Sequence, residues 1–338
     1  MSTNIYKKSS TSSPVVWEKF KETIEKYSLI TPNDRILLAV SGGPDSMCML
    51  HLFHRLNKQL QNLKIYVVYI DHGIRPKEIR NEIKLIKLLC SSLNIPFITR
   101  KIKIKGNNSG FEFKAHKKRY NVFLELAKKY KCNKISTGHN INDMTETVIF
   151  NILRSPGAEG LKGIPIKRDI TKKIAVIRPL LKIRRDEIIN YLTKNGIRYS
   201  TDSTNLSDKY TRNYIRHKII PELEKINPQI HSHIYNLVEW NNFKEDYFDK
   251  LTEKIVIEVV KKRGNVIKFD LLKIFKYNKY LQYKVFKETV INYIKTQNIH
   301  NLIEEIINFI DRDDIKKLVL GKIKLIKTEK ELIIENEY

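Results

Sequence analysis

Residues 36–40 (ILLAV) run without interruption into residues 41–46 (SGGPDS), and this junction constrains the fold more than any other stretch of the chain. A short apolar run bounded by glycine reads as a strand buried on both faces of a parallel sheet. Gly42 and Gly43 let the backbone turn sharply and approach a ligand closely. Segment 45–56 then carries apolar residues at 47, 49, 50, 52, 53 and 56, the pattern of a buried helix. Strand, glycine turn and helix amino terminus together make an anion site, with backbone N–H groups and the positive end of the helix dipole facing the ligand. Ser41 and Ser46 are expected to add hydroxyl donors. Neither G-x-x-x-x-G-K-[ST] nor G-x-G-x-x-G occurs, so the loop is neither of Walker type nor a dinucleotide fingerprint.

Charge narrows the ligand class. The 338 residues hold 63 Lys and Arg against 37 Asp and Glu, a net charge of +26. Residues 1–220 carry 42 basic against 18 acidic groups, and residues 221–338 carry 21 against 19. Drift toward a Lys-, Ile- and Asn-rich composition would act on both parts alike. The asymmetry therefore points to a polyanionic partner, nucleic acid above all. Cys48, Cys90 and Cys132 show no zinc, CxxC or disulfide spacing; they are expected as buried small hydrophobes in a reducing compartment. No run approaches 18 apolar residues, so no membrane partner is expected. Nothing in the sequence fixes the oligomeric state, a homodimer included.

The length suggests two domains. Residues 1–14 read as a disordered tail without the apolar stretch of a secretory signal. Residues 15–30 read as an amphipathic helix. Strands are expected at 36–40, 65–70, 97–102, 134–137 and 173–177, alternating with helices at 45–56, 76–93, 112–130 and 143–154. This alternation predicts an α/β fold, a Rossmann-like doubly wound parallel sheet, with ligands at the carboxyl ends of its strands. Loops 106–110 and 155–165 are glycine-containing candidates for lids. From about residue 226 the pattern becomes mostly helical, with helices at 229–262, 270–275, 279–295 and 300–310. Short strands at 315–320, 322–327 and 331–335 close this second domain as a small β-meander. The expected domains are thus 15–225 and 226–338.

Every chemistry-bearing motif falls at an expected strand end. Asp71 and His72 end the second strand; an acid there meets a nucleotide ribose or simply bonds its own turn. His139 ends the fourth strand, and Asp143 and Glu146 follow at spacings of 4 and 3. Two carboxylates and an imidazole there can hold a metal, seat an ammonium group or take a proton, or the acids simply cap the helix. Glu112, His116 and Arg119 share one face of a basic helix, which reads equally as a solvated surface. Arg212, Asn213, Arg216 and His217 lie in RNYIRH, where forked guanidiniums suit phosphates and base edges.

The string SGGPDS resembles the phosphate loop of the PP-loop ATP-pyrophosphatases, which cleave ATP between its α- and β-phosphates. Other strings extend the likeness: IDHGIR (70–75), GHNINDMTET (138–147), LRSPGAEGLKGIP (153–165), RPLLKIRRDEI (178–188), DSTN (202–205) and TRNYIRHKIIPEL (211–223). Jointly they resemble the tRNA(Ile)-lysidine synthetase family, in its short form. That family usually has a second His where Asn140 stands, an Asp where Asn142 stands and an Arg where His116 stands. The resemblance implies an ATP-dependent ligase joining free L-lysine to carbon 2 of the wobble cytidine of a CAU-anticodon isoleucine tRNA, in a bacterial-type cytoplasm or a plastid. ATP would be held by Ser41, Gly42, Gly43, Pro44, Asp45, Ser46, Asp71 and His72, with Mg2+ on Asp45. Asp143, Glu146 and Glu112 would seat lysine. His139, Asp143, Glu146 and Arg119 would be catalytic, with His139 taking the proton from the amine. Arg178, Arg212, Asn213, Arg216 and His217 would contact the tRNA. The rival readings are a PP-loop tRNA thiolase, which needs cysteines that carry sulfur, and a non-catalytic RNA-binding module.

Overall fold

The computed structural model describes residues 14–60, 62–71, 73, 76–102, 111–154, 158–200, 211–293, 299–312 and 314–336. Residues 1–13 of the expected tail, His72, the loop 106–110 and the DSTN string thus lie outside the described residues, as do residues 155–157 of the second loop. Contacts divide the chain into two units, Met1–Glu239 and Trp240–Tyr338.

The first unit is built on strands β1 (Arg35–Ala39), β2 (Lys64–Asp71), β3 (Phe97–Lys101), β4 (Lys134–Thr137), β5 (Lys167–Thr171) and β6 (Ile174–Ile177), in the order β3-β2-β1-β4-β6-β5. The first four and β6 are parallel, as expected. The edge strand β5 was not expected; it pairs antiparallel with β6 through an irregularity between Asp169 and Thr171. Its sequence, KRDIT, has no apolar alternation because it covers an edge and buries little.

Both faces of the sheet are covered, which is why β1 is continuously apolar. Ile36 and Leu38 pack in one cluster with Phe20 of α1 (Pro14–Lys26), Leu52 and Phe53 of α2 (Pro44–Leu60), Ile86 of α3 (Pro76–Ser92) and Tyr191 of α6 (Arg185–Lys194). Leu37, pointing the other way, joins Val68, Ile135 and Val176 against Phe123, Leu126 and Ala127 of α4 (Phe111–Lys129). Of the catalytic candidates, Asp143 and Glu146 stand on α5 (Ile141–Ile152), His139 just before it and Arg119 on α4; the expected tRNA contacts Arg212, Asn213, Arg216 and His217 lie on the run α7 (Thr211–Tyr214), a π-helical turn (Ile215–Ile219) and α8 (Ile220–Ile226). Helix α9 (Ile230–Val259) begins in this unit: Tyr235 and Val238 pack on Ile141, Met144 and Val148 of α5. Its first turns therefore belong with the first unit, beyond the expected boundary at 225/226.

The second unit holds a five-stranded antiparallel sheet in the order β7-β8-β11-β10-β9, from β7 (Val260–Arg263), β8 (Val266–Asp270), β9 (Lys317–Leu320), β10 (Ile323–Lys327) and β11 (Glu331–Asn336). The expected meander is its β9–β10–β11 half. The β7–β8 hairpin was missed; residues 260–262 were expected to continue the helix. Gly264, at φ +59, makes the turn, and β8 buries Ile267 and Phe269 in strand alternation. Helices α10 (Leu271–Ile274), α11 (Lys279–Tyr293) and α12 (Ile299–Ile310) complete the unit. On α12, Leu302, Ile303, Ile306, Phe309 and Ile310 form the buried stripe of an amphipathic helix. No described helix is long and apolar enough to cross a membrane.

Two glycines in left-handed conformation separate backbone strain from packing. Gly196 (φ +64) has open space around its missing Cβ, whereas a Cβ on Gly163 (φ +59) would lie 2.5 Å from Met144 Sδ and 3.1 Å from Val238 Cγ1. Gly196→Ala is expected to cost about 1 kcal/mol and Gly163→Ala about 3 kcal/mol, read as shifts of the urea midpoint. Equal shifts would contradict the packing role of Gly163.

Candidate active site

The phosphate loop follows directly from the strand it leaves. Val40 still donates to Val68 O at 2.9 Å, and the chain then turns through Gly42 at φ +86. A Cβ on Gly42 would meet Glu82 Cβ and Cγ at 3.2 Å, so both the turn and the space demand glycine. Ser46 Oγ accepts from Ser41 N at 3.1 Å and donates to Gly43 O at 2.9 Å. The Ser46 hydroxyl therefore straps the loop together and is not the free ligand donor that was expected. Ser41 is exposed, with Oγ 3.4 Å from Gly43 N, and remains at the surface of the site. Ser200 N donates to Gly42 O at 2.8 Å and pins the loop from the far side. The first turn of α2, starting at Pro44, leaves N–H groups unpaired within the helix, as any helix start does.

A cavity of about 440 Å³ opens at the carboxyl ends of β1, β2 and β4, where the strand order reverses. Ser41, Gly43, Asp45 and Ser46 line its phosphate end. Val40, Ile70, Tyr120 and Phe123 give it an apolar wall, and Arg119 and His139 complete it. Asp71 is not among the lining residues. Its Oδ1 accepts from Gly73 N at 2.7 Å, so the turn-forming reading of this acid describes it better than the nucleotide contact.

Helix α5 is joined to the loop by Asn140. Its side-chain oxygen accepts from Asn142 N and Asp143 N at 2.9 and 3.1 Å, while Asp143 Oδ2 accepts from Asn140 N at 2.9 Å. This is a capping box. Asn140 Nδ2 donates to Asp45 Oδ1 at 2.8 Å. Asp143 thus does cap its helix; neither it nor Glu146 is among the residues that line the cavity. Sequence reasoning missed Asn140, although the Asn-x-x-Asp spacing ahead of an apolar run carried the signal.

Arg216 meets the acid pair. Its Nε and Nη2 bond Glu146 Oε1 and Oε2 at 2.6 and 2.8 Å, and Nη2 lies 3.7 Å from Asp143 Oδ1. Glu146 is only 6% exposed, so this is a desolvated bidentate pair. Arg216 was expected on the tRNA; the structure turns it inward. The π-helical turn explains its reach: Pro221 has no N–H to continue the helical ladder, and Ile220 N bonds Ile215 O instead. Burial, then the charge of Asp45, pushes Asp143 up to about 7, and burial also raises Asp45. The Glu146 hydrogen bonds raise Arg216.

The opposite wall is cationic. His139 Nδ1 lies 2.9 Å from Thr137 Oγ1. Burial first, then Arg178, Arg119, His116 and Arg212, lowers its pKa to about 3. A neutral imidazole of such low basicity is a poor acceptor for an ammonium proton. Arg178 is 4% exposed; Nη1 donates to Pro165 O at 2.5 Å and Nη2 to Tyr120 Oη at 3.3 Å. It too is an inward residue and not the surface tRNA contact expected. Arg212 is exposed, over the Phe150 ring at 5.3 Å and 3.4 Å from Thr147 Oγ1, and Asn213 and His217 are half-buried nearby on the chain. The Glu112 side chain lies outside the described residues. Cys48, Cys90 and Cys132 are all buried, with thiols raised well above the usual range for Cys48 and to about 12 and about 11 for the others. Such thiols are inert, so they do not meet the sulfur-carrying requirement of the thiolase reading.

Two measurements test this geometry. A Cβ on Gly138 would lie 3.1 Å from Asp45 C and Ser46 N, both backbone atoms. Gly138→Ala is expected to push α2 away from β4 and weaken ATP binding about ten-fold or more, read by calorimetric titration; unchanged affinity would exclude the close approach. Asp143, with its pKa raised in the fold, contributes stability that is full below its unfolded pKa and is lost as pH rises through about 7. Asp143→Asn keeps the capping acceptor and is expected to gain stability relative to the native chain as pH goes from 5 to 8. A pH-independent difference would contradict the shift.

A family model described as a PP-loop domain matches residues 13–223. A tRNA(Ile)-lysidine synthase of Thermosipho africanus is 40% identical over 253 residues, covering 74% of this chain and 57% of its own length. The corresponding synthase of Caldanaerobacter subterraneus is 31% identical over 335 residues (95% and 69%), and that of Petrotoga mobilis 36% over 276 residues (77% and 86%). The chain spans little more than half the length of the first relatives it matches. Among solved structures, a U34-tRNA thiolase of Methanococcus maripaludis, itself with a [4Fe-4S] cluster, shares the fold at a TM-score of 0.56 and 20% identity, over 68% of this chain and 78% of that one. With the family model covering most of the chain and two relatives aligned over more than two thirds of their own length, the chain belongs to the tRNA(Ile)-lysidine synthase family of PP-loop proteins.

Proposed function

We propose that this chain makes lysidine, joining the ε-amine of L-lysine to carbon 2 of the wobble cytidine in a CAU-anticodon isoleucine tRNA, so that it decodes AUA in place of AUG. The observation that carries this reading is the acid pair Asp143–Glu146 fixed beside the phosphate loop, with a cationic side chain already bonded to it. Such a site suits an amine-bearing substrate next to an activated phosphate.

In the first step the carbon-2 oxygen of the cytidine attacks the α-phosphate of ATP, and pyrophosphate leaves. The α2 amino terminus, Gly42, Gly43 and Ser41 would hold the phosphates as charge moves onto the leaving group. Arg119, half-buried in the cavity wall, would face the developing charge from the opposite side. In the second step the ε-amine attacks carbon 2 and AMP leaves with the electron pair of the broken carbon–oxygen bond. The amine must first lose a proton, and Asp143, titrating at about 7, is matched to take it where His139 is not. Neutral His139 would serve as a hydrogen-bonding group of the cavity. Asp45 also fits Mg2+: burial holds this carboxylate above its ordinary range, and a divalent cation would relieve that. When bound, the ion would withdraw charge from the phosphates. Among the residues expected on the tRNA, Arg212, Asn213 and His217 keep that assignment, and the wobble base must leave its stack to enter. A cytoplasmic location accords with such a substrate.

The test mixes the chain with ATP, radiolabelled L-lysine and unmodified CAU-anticodon isoleucine tRNA. Label in the tRNA, with AMP and pyrophosphate released, is the expected result; its absence would overturn the reading. Lysine should bind more tightly as pH rises through about 7, because its ammonium (pKa about 10.4) pairs with the carboxylate and not with the acid form of Asp143. Asp143→Asn should raise the lysine KM about ten-fold, leave the ATP KM near its native value and abolish this pH dependence.

A further inference from the structure

On the face of α5 adjoining the acid pair lies an imidazole that the proposed reaction does not use. His231, near the start of α9, is 0% exposed. Its Nδ1 is 2.7 Å from Thr145 Oγ1, whose own hydroxyl donates to Ile141 O at 3.0 Å. The Thr145 proton being spent on the helix, the ring nitrogen is the donor, which fixes the Nδ1–H form. Nε2 lies 3.2 Å from Asn142 Nδ2 and 3.0 Å from Glu224 Oε1 of α8. The Asn142 amide is oriented by Arg185 N–H, which donates to its Oδ1 at 3.0 Å, so Nδ2 points a donor at the ring.

Nε2 therefore faces a donor and an acceptor at once, and no single protonation state satisfies both. The neutral ring accepts from Asn142 and opposes Glu224. The imidazolium donates to Glu224 and opposes Asn142. The remaining charged groups around it divide the same way. Arg184, 3.5 Å from Glu224 Oε1, disfavours the cation, while Glu224 and Asp186 favour it. Burial favours the neutral ring. Asn142 and Thr145 stand three residues apart on α5, and Asp143 and Glu146 each follow one of them directly, on the neighbouring face. A rotation of α5 that breaks either ring contact moves both carboxylates.

We propose that His231 is a positioning residue for the acid pair: its neutral ring, bonded to Asn142 and Thr145, fixes the rotation of α5 that presents Asp143 and Glu146 to the substrate amine. Protonation trades the Asn142 bond for Glu224 and releases that hold. The inference rests on the lysine-ligating reading only for the identity of the amine. It also gives Asn142 a purpose: an Asp at this position, as in the family pattern, presents an acceptor to Nε2 and calls for a charged ring.

The experiment has two arms on the full chain. In the first, 15N spectra of the histidine rings are recorded at pH 7.5 without substrate. The neutral Nδ1–H form is expected for His231, and both ring nitrogens are expected to carry protons in Asn142→Asp; an Nε2–H form in the native chain would overturn the assignment. In the second, lysine and ATP KM values are measured for His231→Gln and for the near-isosteric Thr145→Val, with exposed His233→Gln as control. Both variants are expected to raise the lysine KM about ten-fold or more at unchanged ATP KM, and the control to leave both unchanged. A native lysine KM in folded Thr145→Val, or a parallel rise of both constants, would overturn the positioning role. A native chain that incorporates no lysine fails the ligase reading, while the ring spectra still decide the hydrogen-bond assignment.

Discussion

One buried amide holds the site together. Asn140 is 0% exposed, and its two polar atoms do separate work: the oxygen caps α5, and the nitrogen bonds the Asp45 carboxylate at the start of α2. The phosphate loop and the acid helix are thereby one rigid piece rather than two adjacent ones. The bare Gly138 just before it lets the two backbones touch. Any chemistry that activates one substrate at the loop and delivers a second from α5 requires these two elements in fixed register, since small misplacements of reacting atoms cost rate steeply.

The electrostatics of the cavity follow from that junction. Bringing α5 onto α2 places Asp45, Asp143 and Glu146 together, and burial would make three such charges untenable without a counter-charge. Arg216 supplies it, from a helix widened by a π-turn at the place where Pro221 interrupts the ladder. The other wall gathers Arg119 and Arg178 around His139 and keeps that ring neutral. Asp45, Asp143 and Glu146 thus interact with one another and with Arg216, while Arg119 and Arg178 gather around His139, so the charges beside the phosphate loop are segregated by sign.

The parallel sheet was legible because its physics is local: both faces of β1 are covered, so its residues had to be continuously apolar, and β4 was bounded to the residue. Strands that bury little were not. β5 and β7 each pair with a neighbour one tight turn away, but both lie at a sheet edge with mostly exposed side chains, so KRDIT and VKKR show no apolar pattern. In the site, the spacing of Asp143 and Glu146 put both on one helix, where Arg216 meets the pair, since a helix start fixes relative positions. What spacing does not encode is the surroundings. Whether Arg216 faces solvent or a carboxylate 70 residues away, and whether His139 is basic, depend on contacts between elements remote in sequence.

The inward turn of Arg178 and Arg216 alters what the basic excess of residues 1–220 means. These two guanidiniums are committed to Pro165, Tyr120, Glu146 and Asp143, so they are not available to a polyanion while those bonds last. The charge that draws a nucleic acid must come from groups that stay in water. Arg212 is one, and with Arg154 it flanks the Phe150 ring, at 5.3 and 5.0 Å, toward the carboxyl end of α5. Interior arginines are thus engaged in contacts within the fold, while exterior ones would set how strongly, and with what dependence on salt, a polyanion is held. The net charge of a chain reports the second property and says nothing of the first.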